Sequence, residues 1–127
     1  FTDTNTGTVV GGPKILSTTD GGNSWIIREP RPDRGFNDVF FTDANNGTAV
    51  GWEGVIYRTT NGGTTWSSQI SGTTKFLNGV SFTDANTGVV VGAETIIQTL
   101  DGGATWVKRL SNTTVILVGV SFINYDG

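Results

Sequence analysis

The amino-acid sequence predicts an all-β fold, a β-propeller in which one chain supplies three four-stranded blades. Three phrases recur in register at spacings of 40 or 41 residues, and a period near 40 is typical of four-stranded blades. The 19 glycines, set among Thr, Asn and Ser, suit short strands joined by tight turns. No hydrophobic stripe of helical period runs through the chain, which argues against a helical repeat protein.

Three sets of phrases mark the repeats. "TTDGGNSW", "TTNGGTTW" and "TLDGGATW" end at Trp25, Trp66 and Trp106, at spacings of 41 and 40 residues. "FTDTNTGTVVG", "FTDANNGTAVG" and "FTDANTGVVVG" begin at positions 1, 41 and 82, and "NDVFF", "NGVSF" and "VGVSF" form the third set. Phrases that keep register over the whole chain are a strong repeat signal.

Each repeat divides into four strands, named A, B, C and D in chain order. In the middle repeat "FNDVFF" is A, "TAVG" is B, "VIYRTT" is C and "TTWSSQI" is D. The chain therefore begins in strand B and ends on a further A strand, "VILVGVSF". We expect one domain, 1–127, with blade repeats at approximately 1–35, 36–76 and 77–112 and a closing strand at 113–127. A β-solenoid is the alternative fold, although its rungs are usually shorter.

Three blades are too few to close a ring, because propellers typically have about 4–8 blades. An open arc would leave the apolar faces of its first and last blades in water. Two copies give six blades and three copies give nine. We therefore expect a homodimer forming a six-bladed ring, in which each C-terminal A strand completes the first blade of the partner. The alternative is that the chain is three blades of a longer natural protein.

Composition limits the chemistry that this chain can perform. It has no Cys and no His, which excludes disulfides, thiolate or imidazole metal sites and the Ser-His-Asp triad. A net charge of −3 gives no general attraction to nucleic acid or to an anionic membrane. The longest apolar stretch, 115–120, is far too short to span a membrane. We expect no metal, no cofactor, no nucleic-acid partner and no membrane insertion.

The tryptophan phrase predicts a tight hairpin turn between strands C and D of each blade. Its Asp or Asn places a short acceptor near the N–H groups of the turn, and its glycines allow positive φ. Its Thr can hydrogen-bond across the base of the hairpin, and its Trp can pack between neighbouring sheets. These roles fall to Thr18, Asp20, Gly22 and Trp25, to Thr59, Asn61, Gly63 and Trp66, and to Thr99, Asp101, Gly103 and Trp106.

The phrase resembles the Asp-box, or BNR repeat, of sialidase-like β-propellers. With "FTDANxG" and the blade length added, the unit resembles the photosystem II stability/assembly factor family of BNR-like propellers, over nearly all 127 residues. The resemblance implies a non-catalytic scaffold for assembly or recognition. It also implies an extracytoplasmic location, whether secreted, periplasmic or in the thylakoid lumen. Many proteins use this repeat, so it is more specific for fold than for function.

The repeated turn has two interpretations, a Ca²⁺ or catalytic carboxylate site and a fold-stabilising hairpin. Asn61 replaces the aspartate in the middle copy, which keeps the acceptor and loses the charge. Three copies also point to three places around the ring, whereas a catalytic site needs residues that converge. We favour the structural interpretation.

Ligand binding is expected where the repeats disagree, at the B–C and D–A connections on the face opposite the C–D turns. The B–C connections read "GGPK", "GWEG" and "GAET", and the first D–A connection, "IREPRPDRGF", is rich in charge. An aromatic platform beside Arg donors predicts a protein or glycan ligand. The alternative is a packed Trp within a solvated charged rim. The candidate binding residues are Trp52, Glu53, Glu94, Arg28, Arg31, Asp33 and Arg34.

Two enzymatic alternatives fit the sequence less well, and we expect no catalytic residues. A sialidase-like site needs arginines from several blades and a Tyr nucleophile, but the arginines cluster in one loop and Tyr57 lies in a C strand. A xyloglucan-processing site needs two facing carboxylates. Glu53 and Glu94 occupy matching connections in adjacent blades, where repetition alone would also place them. A non-catalytic binding module is the prediction, and a glycoside-processing propeller fragment is the alternative.

Overall fold

The protein is all-β over the residues that its computed structural model describes, which are 2–30, 33, 35–109 and 117–121. Trp52–Gly54 forms a short 3-10 turn, and no helix in the described part is long and apolar enough to cross a membrane. The strands are β1 (Gly7–Gly11), β2 (Lys14–Thr18), β3 (Ile26–Arg28), β4 (Phe36–Phe41), β5 (Gly47–Gly51), β6 (Ile56–Thr59), β7 (Ser67–Gln69), β8 (Leu77–Phe82), β9 (Gly88–Gly92), β10 (Thr95–Thr99) and β11 (Val107–Arg109).

The strands form three antiparallel sheets in which chain neighbours pair in order. The second sheet, β4 to β7, and the third, β8 to β11, each contain strands A, B, C and D. The first sheet contains β1, β2 and β3, which are strands B, C and D. The all-β prediction is confirmed, and the described part of the first blade begins in strand B as the sequence indicates.

A bulge in each A strand frees a side chain that reaches the next blade. The register between A and B strands shifts after Phe36 and again after Leu77, so Asn37 and Asn78 have no partner in the B strand. Asn37 Nδ2 donates to the carbonyl of Leu77 at 2.9 Å, and Asn78 Nδ2 donates to the carbonyl of Leu117 at 2.9 Å. Successive blades are therefore joined through polar contacts between their inner strands.

The same contacts give the order of the blades. β1 contacts β4, and β4 contacts β8. Residues 117–121 lie next to β8. A Cβ added to Gly79 of this strand would come within 3.0 Å of the Gly119 Cα atom. The described C-terminal segment thus lies where the A strand of a fourth blade would begin.

The hydrophobic core lies between the sheets, so each blade is covered by its neighbour. One cluster joins the second and third sheets, and another joins the first and second. Phe82 illustrates the packing: its ring stacks on Phe40 of the preceding blade at 6.2 Å and meets Trp106 of its own blade edge-on at 6.1 Å. The first cluster contains Val50, Ile56, Leu77, Val80, Phe82, Val90 and Ile97, and the second contains Ile15, Phe36, Ala49, Val55 and Tyr57.

Ile97→Ala should destabilise the protein by about 2–5 kcal/mol, because it leaves a cavity in a closely packed core. Ile97 is 1% exposed in the cluster between the second and third sheets. The matched control is Ile70→Ala, in which the same side chain is 88% exposed and the cost should stay within about 0.5 kcal/mol. Urea unfolding followed by tryptophan fluorescence measures both, and equal losses would contradict the assignment of the core.

Candidate functional site

The repeated C–D turn is closed by hydrogen bonds among its own residues. In the first blade Thr18 Oγ1 accepts from the Gly22 N–H at 2.9 Å and donates to Asp20 Oδ1 at 2.7 Å. Asp20 also accepts from the N–H of Ser24 at 2.9 Å and from its hydroxyl at 2.6 Å. Gly22 has a φ of 94°, which a side chain would strain. The carboxylate is thus used within the turn.

The middle turn has the same network with an amide in place of the carboxylate. Asn61 Oδ1 accepts from the Thr65 N–H at 3.0 Å, while its Nδ2 donates to Thr65 Oγ1 at 2.8 Å. Hydrogen bonds to the charged form lower a carboxyl pKa. The hydroxyl and N–H of Ser24 accordingly hold the pKa of Asp20 at about 2, and those of Thr105 do the same for Asp101. Either the amide or the carboxylate closes the turn, and the carboxylate also makes the stability of the turn sensitive to acid.

The three repeated tryptophans do not make identical contacts. Trp25 Nε1 donates to the carbonyl of Gly22, and Trp66 Nε1 donates to that of Gly63, both at 3.1 Å. Trp106 Nε1 instead donates to Gln69 Oε1 at 3.1 Å, in strand D of the preceding blade. The third turn is therefore bonded to a neighbouring sheet, while the others bond to themselves.

The turns and connections separate onto two faces. On one face the A–B and C–D turns meet, since the N–H groups of Gly21, Gly62 and Gly102 donate to carbonyls of the A–B turns at 2.8–2.9 Å. On the other face the B–C connections meet the D–A connections. There the Trp52 N–H donates to the Gly35 carbonyl, and the Ala93 N–H donates to the Phe76 carbonyl, both at 2.9 Å. The variable connections thus share the face opposite the repeated turns.

An aromatic pair is the main feature of this variable face. Trp52 stacks on Phe76 with ring centroids 5.8 Å apart and planes at 18°, and the two side chains are 44% and 45% exposed. A Cβ on Gly35 would lie only 2.6 Å from the indole, so Trp52 also packs closely on the backbone at Gly35. Phe76 is not among the binding residues that the sequence predicts, although it stands in a D–A connection, "QISGTTKFL", that varies between repeats.

A groove extends from the aromatic pair along the outer part of the second blade. It has a volume of about 640 Å³ and offers apolar, hydroxyl, amide and carboxylate groups. Such a mixture can hold both the side chains and the backbone of an extended ligand. Its lining includes Glu53, Tyr57, Ser68, Gln69, Thr74 and Phe76.

The two candidate glutamates lie at the tips of successive B–C connections. Glu53 has a φ of 54° and Glu94 a φ of 52°, and both are exposed. These are left-handed conformations that non-glycine residues adopt at some cost. Glu53 borders the groove beside Phe76, whereas Glu94 lies on the connection of the third blade.

Among the described residues of the charged first D–A connection, Arg28 lies away from the groove beside Phe76. Arg28 is half-buried and lines a cleft of about 300 Å³ between the first and second sheets, together with Gly62 and Gly63 of the repeated turn. Asp33 is exposed in the connection itself. Arg31 and Arg34 lie outside the described residues. Of the seven candidate binding residues, the structure brings Trp52 and Glu53 together next to the groove.

Metal binding gains no support from the described part of the chain, in which no group of three or more carboxylates is close enough to hold an ion. The aspartates with lowered pKa values are Asp3, Asp20, Asp43, Asp84 and Asp101, and all of them accept hydrogen bonds inside A–B or C–D turns.

Comparison with solved structures places the chain among β-propellers. YCF48 bound to a D1 peptide superposes with a TM-score of 0.74 and 27% identity, covering 85% of this chain and 37% of that one. YCF48 from Cyanidioschyzon merolae gives 0.71 and 26%, covering 90% and 39%. The chain therefore spans less than two fifths of the length of these proteins. The resemblance to photosystem II assembly-factor-like propellers and the propeller fold are thus confirmed.

Two glycoside hydrolases of family GH74 share the fold at lower identity. An ancestral GH74 enzyme gives a TM-score of 0.68 at 19% identity, covering 81% of this chain and 16% of that one. The GH74 enzyme of Niastella koreensis gives 0.65 at 19%, covering 83% and 19%. No protein-family model and no curated protein sequence matches the chain.

The Asp20→Asn/Asp101→Asn variant should lose part of the acid sensitivity of folding. Both carboxyls have a pKa of about 2 in the folded chain and an ordinary value of 3.8. The stability that they contribute is complete above pH 4 and is lost as the pH falls from about 4 towards 2. Urea midpoints between pH 5 and 2 should fall less steeply in the variant.

The reverse change, Asn61→Asp, is the control for this prediction. Thr65 offers the same hydroxyl and N–H donors as Ser24 does, so a carboxylate at position 61 should acquire a lowered pKa and make the acid response steeper. Identical pH profiles for the native chain and both variants would contradict a role for these carboxylates in the turn.

Proposed function

We propose that the chain is a non-catalytic propeller module that binds an extended segment of another protein on its variable face. The observation that carries this proposal is the exposed stack of Trp52 and Phe76. Aromatic side chains of this kind dominate the energy of protein interfaces, because they bury much area with few rotatable bonds. Trp52 packs on the Gly35 backbone, so the stack should lose little conformational freedom when a ligand binds.

The groove beside the stack supplies the second requirement for a peptide ligand. Ser68 and Thr74 offer hydroxyl groups, Gln69 offers the NH₂ of an amide whose oxygen is bonded to Trp106, and Glu53 adds a carboxylate to the lining. Backbone amides of an extended peptide need such donors and acceptors, while the stack accepts an apolar side chain. A carboxylate on the rim favours peptides that carry a basic residue.

The comparison with YCF48 supports a protein ligand over a glycan. A solved structure of that protein holds a D1 peptide, and it superposes on 85% of this chain at 27% identity. By the same resemblance we propose an extracytoplasmic location and a role in assembly. The Asp-box identity of the turns and the division into blade repeats at 1–35, 36–76 and 77–112 belong to the same proposal.

We also propose that two copies close a six-bladed ring. The exposed apolar side chains Val9 and Ile27 lie on the first sheet, on the face away from the second, and Val118 lies beyond the third. Exposed apolar surface of this kind at both ends of an arc favours association. Two copies bring the blade number into the range of known propellers.

Peptide binding tests the main proposal. Peptides selected from a displayed library against the native chain should bind Trp52→Ala and Phe76→Ala at least about tenfold more weakly, because each variant removes half of the stack. The matched control is Leu100→Ala, which removes an apolar side chain that is 65% exposed on the opposite face. Isothermal titration calorimetry measures the affinities. If only Leu100→Ala weakened peptide binding, the ligand would lie on the face of the repeated turns and the proposal would be contradicted.

A glycoside-processing fragment is the alternative function, and the same protein tests it. Turnover of soluble xyloglucan that is lost in Glu53→Gln or Glu94→Gln would overturn the non-catalytic assignment. Binding on a glycan array without any peptide binding would replace the protein ligand by a glycan.

Light scattering after size-exclusion chromatography tests the ring. The expected mass is twice the 13.4 kDa of the chain. A stable species of 13.4 kDa at micromolar concentration would contradict the homodimer while leaving peptide binding open to its own test.

A further inference from the structure

We infer that the two ends of the chain pair between copies in one fixed register, with residues 117–121 of one copy adding the inner strand to β1 of another. The inference rests on the proposed homodimer and goes beyond it, because it names the strands and the residue pairs of the interface.

The C-terminal segment already occupies the position of an inner strand. The Asn78 side chain donates to the Leu117 carbonyl at 2.9 Å, as Asn37 donates to the Leu77 carbonyl. The Leu117 N–H also donates to the Gly92 carbonyl at 3.0 Å, at the end of the B strand of the third blade. Leu117 therefore relates to the third blade as an A strand relates to the blade before it.

The first sheet presents the complementary edge. β1 lies at the end of the sheet order, whereas its counterparts β5 and β9 lie between an A strand and a C strand. Val9 of this strand is 48% exposed, whereas the corresponding Ala49 and Val90 are 0% exposed because each also packs in a cluster shared with the preceding sheet. An edge strand with an apolar side chain in water is a template for another strand.

The two ends cannot meet within one copy in this arrangement. β1 contacts β4, β4 contacts β8, and the C-terminal segment lies beyond β8. Two A strands therefore stand between β1 and residues 117–121. A second copy, related by a two-fold axis, brings each end against the other and forms two identical junctions.

The register follows from the two A–B pairs that the structure contains. In the third blade Leu77 pairs with Gly92, Gly79 with Val91, Val80 with Val90 and Ser81 with Val89, and the second blade repeats this pattern. Applied to the junction, the same pattern pairs Leu117 with Gly11, Gly119 with Val10, Val120 with Val9 and Ser121 with Thr8.

A cysteine pair tests this register directly, since the chain has no cysteine of its own. Val9→Cys/Val120→Cys should give a covalent dimer on oxidation, because opposed residues of antiparallel strands bring their Cβ atoms within about 5.5 Å. The matched control is Val10→Cys/Val120→Cys. A slip of one residue puts the two side chains on opposite faces of the sheet, so this pair should remain uncoupled on a non-reducing gel.

The possible outcomes distinguish a failure of the proposed register from a failure of the homodimer. A dimer by light scattering in which the slipped pair couples, or in which the matched pair stays reduced, overturns the register and leaves the homodimer. A native chain that is monomeric overturns both. Peptide binding is measured on a different face and is affected by neither result.

Gly11→Ala supplies a test without cysteines. A Cβ on Gly51 would overlap the Gly35 carbonyl, and one on Gly92 would overlap the Phe76 carbonyl, but one on Gly11 meets nothing within 4 Å in a single copy. In the exchanged dimer the incoming segment of the other copy fills that space. Gly11→Ala should keep the native circular dichroism spectrum and raise the dimer dissociation constant at least about tenfold.

Gly51→Ala is the control, because its clash lies within one chain and should lower the unfolding midpoint at any protein concentration. The melting temperature of Gly11→Ala should instead depend on concentration more steeply than that of the native chain. A Gly11→Ala dimer as tight as the native one would overturn the exchange of strands.

Discussion

The packing of one sheet on the next is the interaction on which the structure depends. Both hydrophobic clusters lie between blades, so a single blade would bury little apolar surface alone. The bulges at Asn37 and Asn78 add direction to this packing, because each side chain bonds to the inner strand that follows it. Hydrophobic burial supplies the stability, and each asparagine bond fixes one point of contact between successive inner strands. The variable face depends on this packing as well, since Trp52 lies in the B–C connection of the second blade and Phe76 in the connection that leads into the third.

Much of the fold could be predicted from the sequence, because repetition carries information that single residues do not. The spacing of Trp25, Trp66 and Trp106 indicated the blade length, and alternation within "FNDVFF" indicated an A strand. The hydrogen bonds of the C–D turns follow from residue type, since a Thr, an Asp or Asn and two glycines have few ways to close so short a hairpin. The bulges were not foreseen: a register shift depends on the neighbouring blade, which a local pattern does not describe.

The candidate site was harder to predict than the fold, because its parts come from connections that the repeat does not constrain. Trp52 was identified as the tryptophan outside the repeated phrase, whereas its partner Phe76 was overlooked in a loop of ordinary composition. Arg28 was expected on the face of Trp52 because its D–A connection departs from the repeat. Its side chain lines the cleft between the first two sheets, since the last residue of a D strand faces the adjacent blade there. In both cases the position of the side chain depends on a neighbouring blade, which the local sequence does not describe.

The bond from Trp106 to Gln69 has a consequence for motion. It ties the third turn to strand D of the second blade, whereas the turns of the first and second blades bond only to themselves through their tryptophans. Local opening of the third turn must break a contact between blades as well as its own hydrogen bonds, so the second and third blades form one cooperative unit. The first blade shares a hydrophobic cluster with the second, but the tryptophan of its turn makes no bond of this kind to another blade. Amide protons in β2 and β3 should exchange with solvent before those of β5, β6, β9 and β10.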